Sequence, residues 1–397
     1  MRIALVSPYD YATPGGVTAH IVRLREEFTR LGHHVRIIAP SSRPEDPPDS
    51  GVIVCGRPWA IPANGSVARI AISLRLSSQV KAILQREAFD VVHLHEPLVP
   101  TLAITVLRFS QSVNVGTFHA HSDRSLAYFY GKRILKRWFR KLDGKIAVSR
   151  PAMEFVSQYF PGYYNIIPNG VNVERFGPQV EPFPPEPGYD FTILFVGRLE
   201  HRKGLKYLIR AFAGVKRQFP RARLVVVGDG ALRAEYERAI ALSGLRDVVF
   251  TGYVPDADLP RYYRSADVFC APATGGESQG VVLLEAMASG MPIVASAIEG
   301  YASVLTHGQE GFLVPPRDVE ALSLAIVHLL ADRSLRARMG AAGHQTAQEY
   351  SWERIAQRVL AYYERILGEA ASGPRHGYHP TRLLPRLIPR WLQISPG

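Results

Sequence analysis

A chain of 397 residues with 47% apolar side chains is long enough for two buried cores, and length alone favours two domains over one. The net charge of +12 directs attention to anionic partners, whether nucleic acid, an anionic membrane surface or anionic substrates, but neither zinc-finger spacing nor an RNA-binding aromatic motif is present. No stretch is apolar enough to span a bilayer, and Cys55 and Cys270 lie in apolar strand-like runs, which argues against a disulfide framework and for a reducing, cytosolic compartment.

The chain enters an apolar strand at once, residues 2–7, with no signal-peptide pattern. A tight turn, Thr13-Pro14-Gly15-Gly16, leads into a helix over 17–31 closed by Gly32, and a second strand follows over 35–39. This puts a Gly-rich turn at the C-terminal end of a strand, where open α/β sheets bind ligands. It is not Gly-x-Gly-x-x-Gly, so the nicotinamide fingerprint is absent, and by itself the turn is consistent with plain turn geometry. Residues 41–51 read as a surface loop. After a strand at 52–55, the run Asn64-Gly65-Ser66-Val67-Ala68-Arg69 is read as leading into a helix. Asn64 or Ser66 could simply cap that helix, but Asn, Ser and Arg at a helix start also suit a phosphate group.

Strands at 90–95 and 114–119 carry two His-x-His pairs, His93 with His95 and His119 with His121. Period two puts each pair on one face, so a metal site is conceivable, although such pairs also occur on sheets without metal. In 132–142, Lys132, Arg133, Lys136, Arg137, Arg140 and Lys141 fall on one side of a helix, and Ile134, Leu135, Trp138, Phe139 and Leu142 on the other. A purely cationic face opposite Trp and Phe fits an interfacial membrane helix; a helix packed on the domain core fits the apolar face equally well.

The five prolines of 177–188 read as a stiff linker. A new strand at 191–196 then runs into Gly197-Arg198-Leu199-Glu200-His201-Arg202-Lys203-Gly204 and a helix, and cations just before a helix suit a diphosphate. Strand-loop-helix units repeat at 223–230 and 248–256, with Val254 ending a strand and Asp256 in the loop after it. The most informative stretch is 266–296: strand, glycine-punctuated loop, helix from Val281, stop at Gly290 and Pro292, strand. Glu277 lies in the loop and Glu285 in the helix. Between them lie the amides of Gly280 and Val281, at the positive end of a helix dipole. Capping and solvation would account for a lone Glu pair; the surrounding glycines favour a ligand site.

These residues resemble the retaining glycosyltransferases of family 4, which include enzymes of glycogen, sucrose and phosphatidylinositol mannoside synthesis. Glu277 and Glu285 fit the family's Glu-x7-Glu, and Gly-Gly-Glu-Ser-x-Gly before a helix is the more specific match. Gln279 departs from the Phe common at that place. The resemblance covers the chain to about residue 368. It implies the GT-B architecture, two doubly wound Rossmann-like domains facing across a cleft, and the alternating strands and helices independently indicate α/β. It divides the chain into an acceptor-side domain over 1–176, the linker 177–188, a nucleotide-sugar domain over 189–351, a helix over 352–368 crossing back to the first domain, and a basic Pro-rich tail over 369–397.

The family implies a nucleotide-sugar donor, retention at the anomeric carbon and no required metal. It assigns Gly16, Arg198, Arg202, Lys203, Val254, Asp256, Glu277, Ser278, Gly280, Val281 and Glu285 to the donor, with His119 and Glu277 at the sugar. The Asn64–Arg69 run narrows the resemblance to members that mannosylate phosphatidylinositol, and so implies GDP-mannose, an anionic lipid acceptor met by Tyr9, Thr18, Asn64, Ser66 and Arg69, and a place on the inner face of the cell membrane. Thr18 and Ala63 depart from the Gln and Tyr of those members. Alternatives are a soluble transferase using a UDP- or GDP-sugar and a sugar or sugar-phosphate acceptor, a sugar-nucleotide epimerase of like fold, and a basic nucleic-acid-binding protein. The last would explain the charge but not two nucleotide-type loops.

Overall fold

The computed structural model describes residues 1–13, 15–43, 51–63, 66–72, 76–122 and 124–372. Its strands in chain order are β1 (Arg2–Val6), β2 (His34–Ala39), β3 (Val52–Val54), β4 (Arg57–Ala63), β5 (Ser66–Ile72), β6 (Val91–His95), β7 (Val113–Phe118), β8 (Gly144–Ala147), β9 (Asn165–Ile166), β10 (Phe191–Val196), β11 (Ala222–Val227), β12 (Val248–Gly252), β13 (Val268–Ala271), β14 (Ile293–Ser296) and β15 (Gly311–Val314).

Two parallel sheets result. The first runs β3-β2-β1-β6-β7-β8-β9 and the second β12-β11-β10-β13-β14-β15. Their strands are short apolar runs such as Ile-Ala-Leu-Val in β1 and Phe-Thr-Ile-Leu-Phe-Val in β10, as expected of strands covered by helices on both faces. In each sheet the order reverses beside the first strand, between β1 and β6 and between β10 and β13. Such a reversal opens a crevice at the carboxyl ends of the strands, where doubly wound sheets take ligands. The segments after β1, β7, β10 and β13 carry most of the residues that the sequence singles out.

The last helix, Trp352–Ser372, packs against the Gly16–Arg30 helix and the first sheet. Ile355, Val359 and Tyr363 share one core with Ile3, Leu5 and Val115. The Tyr362 hydroxyl accepts a hydrogen bond from the Lys145 amide at 2.9 Å.

Two local expectations are corrected. The helix expected from Asn64–Arg69 is an antiparallel hairpin, with Ala63 opposite Ser66 and Ala60 opposite Arg69; the next helix starts only at Leu76. Asn-Gly between two runs rich in β-branched and apolar residues is a hairpin signal, and it prevails over the capping reading. Asn64 lies outside the described residues, as do the side chains of Ser66 and Arg69 and the tail from 373 onward.

The basic helix spans Leu126–Phe139, starting one and a half turns before the expected 132; Ser125 caps it by accepting from the Tyr128 amide at 3.2 Å. Its apolar residues divide between two faces. Leu135, Trp138, Phe139 and Leu142 pack into the core of the first sheet. Ile134 does not join them: it is 72% exposed, beside Leu126 at 72%, Phe129 at 65% and Tyr130 at 79%. The spacing 126, 129, 130, 134 makes this second set one outward stripe. Lys141 is drawn inward, its Nζ donating to the Leu107 carbonyl at 2.5 Å, so it leaves the cationic row.

Candidate donor and acceptor cleft

At the second sheet, β10 ends in the loop 197–204. A short 3-10 turn, His201–Lys203, is followed by Gly204 at φ +72°, where a Cβ would lie 1.9 Å from the Pro272 carbonyl oxygen. Glycine there lets this loop lie directly on the one following β13. The cations expected to face a diphosphate are internally paired. Arg198 contacts Glu200 at 2.8 Å, and Arg202 bridges Glu200 at 3.0 Å and Glu277 at 2.5 Å. Lys203 reaches the same Glu277 oxygen at 2.8 Å. Glu277 therefore sits between two bases, with Ser278 half-buried beside it.

The helix Val281–Ala288 starts behind this cluster. Gly280 at its N-cap has φ +85°, and no side chain caps the helix. A Cβ at Gly280 would lie 2.6 Å from the Tyr301 ring. Uncapped amides with the dipole behind them form an anion seat, with Val281 partly exposed over it. One turn on, Glu285 accepts a hydrogen bond from the Tyr263 hydroxyl at 2.8 Å. Burial pushes its carboxyl up to about 7, against the opposing effect of that bond. Val254 is buried nearby, and Asp256 is exposed, its carboxylate 3.9 Å from Arg175.

At the first sheet, Gly15 and Gly16 start the Gly16–Arg30 helix with no side-chain cap and open space where a Cβ would be. Thr18 is half-buried on its first turn. Tyr9 follows β1; burial and the Glu96 carboxylate raise its hydroxyl pKa. His119, just past β7, is held by groups that the motifs did not reveal. Its amide donates to Glu96 Oε1 at 2.7 Å, as does the Ala120 amide at 2.8 Å. Glu96 is buried, with φ +52°. The His119 ring meets His95, Nε2 to Nδ1, at 3.0 Å and His20 edge to face with centroids 4.9 Å apart.

The histidine grouping differs from the expected pairs. His93 turns to Tyr363 and Thr117, at 2.5 and 2.6 Å, and His121 to the Pro151 carbonyl. His20, His95 and His119 instead bring one ring nitrogen each within 4.8 Å of the others. Burial keeps all three neutral at pH 7, the state a metal requires. Their surroundings fit a metal poorly: His95 and His119 already bond to each other, and His95 Nε2 has no partner among the described residues, whereas a ligating imidazole donates its other N–H to an outer group.

The family model described as Glycosyltransferase Family 4 matches residues 14–175, and Glycosyl transferases group 1 matches residues 180–346. A phosphatidyl-myo-inositol mannosyltransferase of Mycobacterium leprae is 39% identical over 378 residues, covering 94% of this chain and 99% of its own. The chain belongs to the family 4 glycosyltransferases. The namesake protein of Propionibacterium freudenreichii is 33% identical over 374 residues, 91% and 94% of the two chains. Among solved structures, sucrose-phosphate synthase of Thermosynechococcus elongatus superposes with TM-score 0.73 at 24% identity, covering 93% of this chain and all of that one. HepE of Anabaena in complex with UDP does so at 0.74 and 20%, over 92% of this chain and all of its own. These two fix the fold as GT-B.

This family 4 member is thus a hexosyltransferase. His20 and Glu96 stand on the His119 wall without being marked by any motif in the sequence. For His20 a signal existed: it lies four residues after Gly16, hence on the same helix face.

Proposed function

We propose that the chain transfers mannose from GDP-mannose to the inositol headgroup of phosphatidylinositol, with retention at the anomeric carbon, on the inner surface of the cell membrane. The observation that carries this reading is the seat at the start of the Val281–Ala288 helix, an uncapped N-terminus between Glu277 and Glu285 with Lys203 and Arg202 at hand. The choice of donor sugar and acceptor rests on the full-length similarity to the mycobacterial and propionibacterial proteins.

In this reading the diphosphate takes the helix amides and draws Arg202 and Lys203 away from Glu277. Those cations, Arg198 and the open backbone at Gly16 stabilise the charge that grows on the leaving group. Glu277, released, accepts from the sugar hydroxyls, and Glu285 from the ribose. Val254 and Asp256 border the base. His119, neutral and clamped by Glu96 and His95, contacts the sugar on the opposite wall. Tyr9 and Thr18 face the acceptor headgroup, and Asn64, Ser66 and Arg69 are assigned to it by the resemblance alone. No side chain is assigned as a covalent nucleophile. Binding holds the two substrates in line and excludes water, which favours transfer over hydrolysis.

At the surface, the stripe of Leu126, Phe129, Tyr130 and Ile134 inserts among acyl chains while Lys132, Arg133, Lys136, Arg137 and Arg140 meet anionic headgroups. No helix among the described residues is long and apolar enough to cross a membrane, which is compatible with peripheral attachment.

The test is incorporation of labelled mannose from GDP-mannose into phosphatidylinositol vesicles, with the anomeric configuration read by NMR. UDP-glucose serves as the donor control, and soluble inositol phosphate as the acceptor control. In the same assay Arg69→Ala is expected to raise the acceptor KM at least tenfold with donor KM unchanged. Transfer only to the soluble acceptor would defeat the lipid assignment.

A pH effect follows from Glu285. Ribose hydroxyls donate to the carboxylate form, so protonation competes with the donor. GDP affinity is expected to fall as pH drops below 7, by up to about tenfold per unit. Glu285→Gln is expected to keep only the weaker pH dependence that comes from the nucleotide's own phosphates. Calorimetric titrations of both proteins between pH 5.5 and 8.5 check this, and parallel curves would exclude Glu285 from the contact.

A further inference from the structure

Gln279 is 1% exposed in the loop between Glu277 and the Val281–Ala288 helix, and both atoms of its amide are hydrogen-bonded. Its partner lies at the end of the other sheet. Asn169 follows β9, and its backbone N–H and its side-chain nitrogen both reach Gln279 Oε1 at 2.7 Å. Gln279 Nε2 donates to the Asn169 carbonyl at 3.2 Å. A phenylalanine at 279 could make none of these bonds.

The pattern determines the protons from Gln279 as far as His20. A backbone N–H can only donate, so the Gln279 atom that receives it is the oxygen. The Asn169 side-chain atom on that same oxygen must then be its NH2 group. Asn169 Oδ1 is thereby turned to His20 Nδ1, 2.8 Å away, and His20 must carry its hydrogen on Nδ1. Burial keeps this ring neutral, with a pKa near 4, so its lone pair is on Nε2. His20 packs edge to face against His95 and His119, with ring centroids 5.1 and 4.9 Å away, so the way its ring is held bears on both neighbours. The one hydrogen in the 3.0 Å contact between His95 Nδ1 and His119 Nε2 is chosen in the presence of that fixed lone pair.

We infer that Gln279 is a positioning residue: acting through Asn169, it fixes the His20 tautomer and so sets the orientation and proton pattern of His119 according to where the donor loop sits. The inference rests on the glycosyltransferase reading for the role of His119, but the hydrogen-bond relay itself does not. The order of the histidine wall thus registers docking of the donor loop, which couples the two halves of the site.

Two variants separate this from simple packing. Gln279→Met keeps length and removes every bond. Gln279→Glu keeps an oxygen that accepts both Asn169 donors and, protonated in this buried setting, an O–H in place of the donor to the Asn169 carbonyl. With histidine 15N-labelled, imidazole NMR is expected to show His20, assigned by loss of its signals in His20→Ala, as a single Nδ1–H tautomer in the parent and in Gln279→Glu. In Gln279→Met its nitrogens are expected to move to averaged values. GDP affinity by calorimetry is expected to stay within threefold in both, while mannosyl transfer kcat falls about tenfold to hundredfold in Gln279→Met only. Unchanged His20 signals in Gln279→Met overturn the relay, and changed signals with unchanged kcat overturn the positioning role. If the parent transfers no mannose, the reading of the reaction fails, and the relay stands or falls on the NMR result alone.

Discussion

Replacing Lys136, Arg137 and Arg140 by Glu is expected to abolish binding to vesicles containing anionic lipid while leaving the fold intact. The three side chains are exposed on the Leu126–Phe139 helix or at its C-cap. Each cation near an anionic leaflet contributes about 1 kcal/mol, within a screening length of about 8 Å at physiological salt. Reversal removes three attractions and adds three repulsions, so the change approaches 6 kcal/mol, roughly a thousandfold or more in partitioning even after screening. Folding changes little, because Leu135, Trp138 and Phe139 hold the helix to the core from the other side. Sedimentation with phosphatidylinositol-containing and with neutral vesicles, beside circular dichroism, measures both halves of the claim. High salt is expected to release the parent only in part, since the stripe around Phe129 and Ile134 is not screened. Equal sedimentation of parent and variant would move the membrane contact elsewhere on the chain.

The second large effect is expected from Lys203→Ala. Lys203 is nearly buried, with 14% of its side chain exposed, and its Nζ is 2.8 Å from Glu277. Removing it takes a fixed positive charge from the leaving diphosphate. In other enzymes the loss of one such preorganised donor costs about a hundredfold to a thousandfold in kcat. It also leaves Glu277 held by Arg202 alone, so the carboxylate that should orient the sugar is less well placed. GDP affinity is expected to drop at least tenfold and kcat by more, because the charge develops in the transition state. Lys203→Arg is expected to restore affinity but little of the rate, since a planar fork on the same stem puts its charge elsewhere. Single-turnover kinetics with calorimetry separates these effects, and a kcat within threefold of the parent would remove Lys203 from the mechanism.

The two α/β units were legible because a parallel sheet writes itself as repeated apolar runs, each followed by a glycine-bearing loop and a helix. Glu277 and the Arg198–Lys203 loop are legible for the same reason, since they follow strand ends, and Glu285 because it stands on the first turns of the helix after such a loop. What escaped was pairing across distance. Nothing local to Arg202 or Lys203 reveals that Glu277, far along the chain, neutralises them in the free protein. Nor does the neighbourhood of Gln279 reveal Asn169, 110 positions earlier. The hairpin β4–β5 was missed because Asn64 and Ser66 are equally good caps and turn residues, and only a partner strand decides between the two. Amphipathic spacing marks the Leu126–Phe139 helix, but the side chains that share a face with Ile134 lie in its first turns, before the basic run begins, so that run alone puts Ile134 on the core side.

The Trp352–Ser372 helix has a consequence for anyone who would divide this polypeptide. Cutting within the proline-rich segment 177–188 looks clean, but the N-terminal fragment would leave behind Ile355, Val359 and Tyr363, which fill its own interior, and Tyr362, whose ring a Cβ at Gly144 would strike at 2.9 Å. The C-terminal fragment would carry that helix with its apolar side bare. The two pieces are therefore mutually dependent, like the halves of a split reporter. The seam along which the enzyme separates into autonomous parts is not a single point on the chain but a pair: one in the proline-rich segment and one just before Trp352.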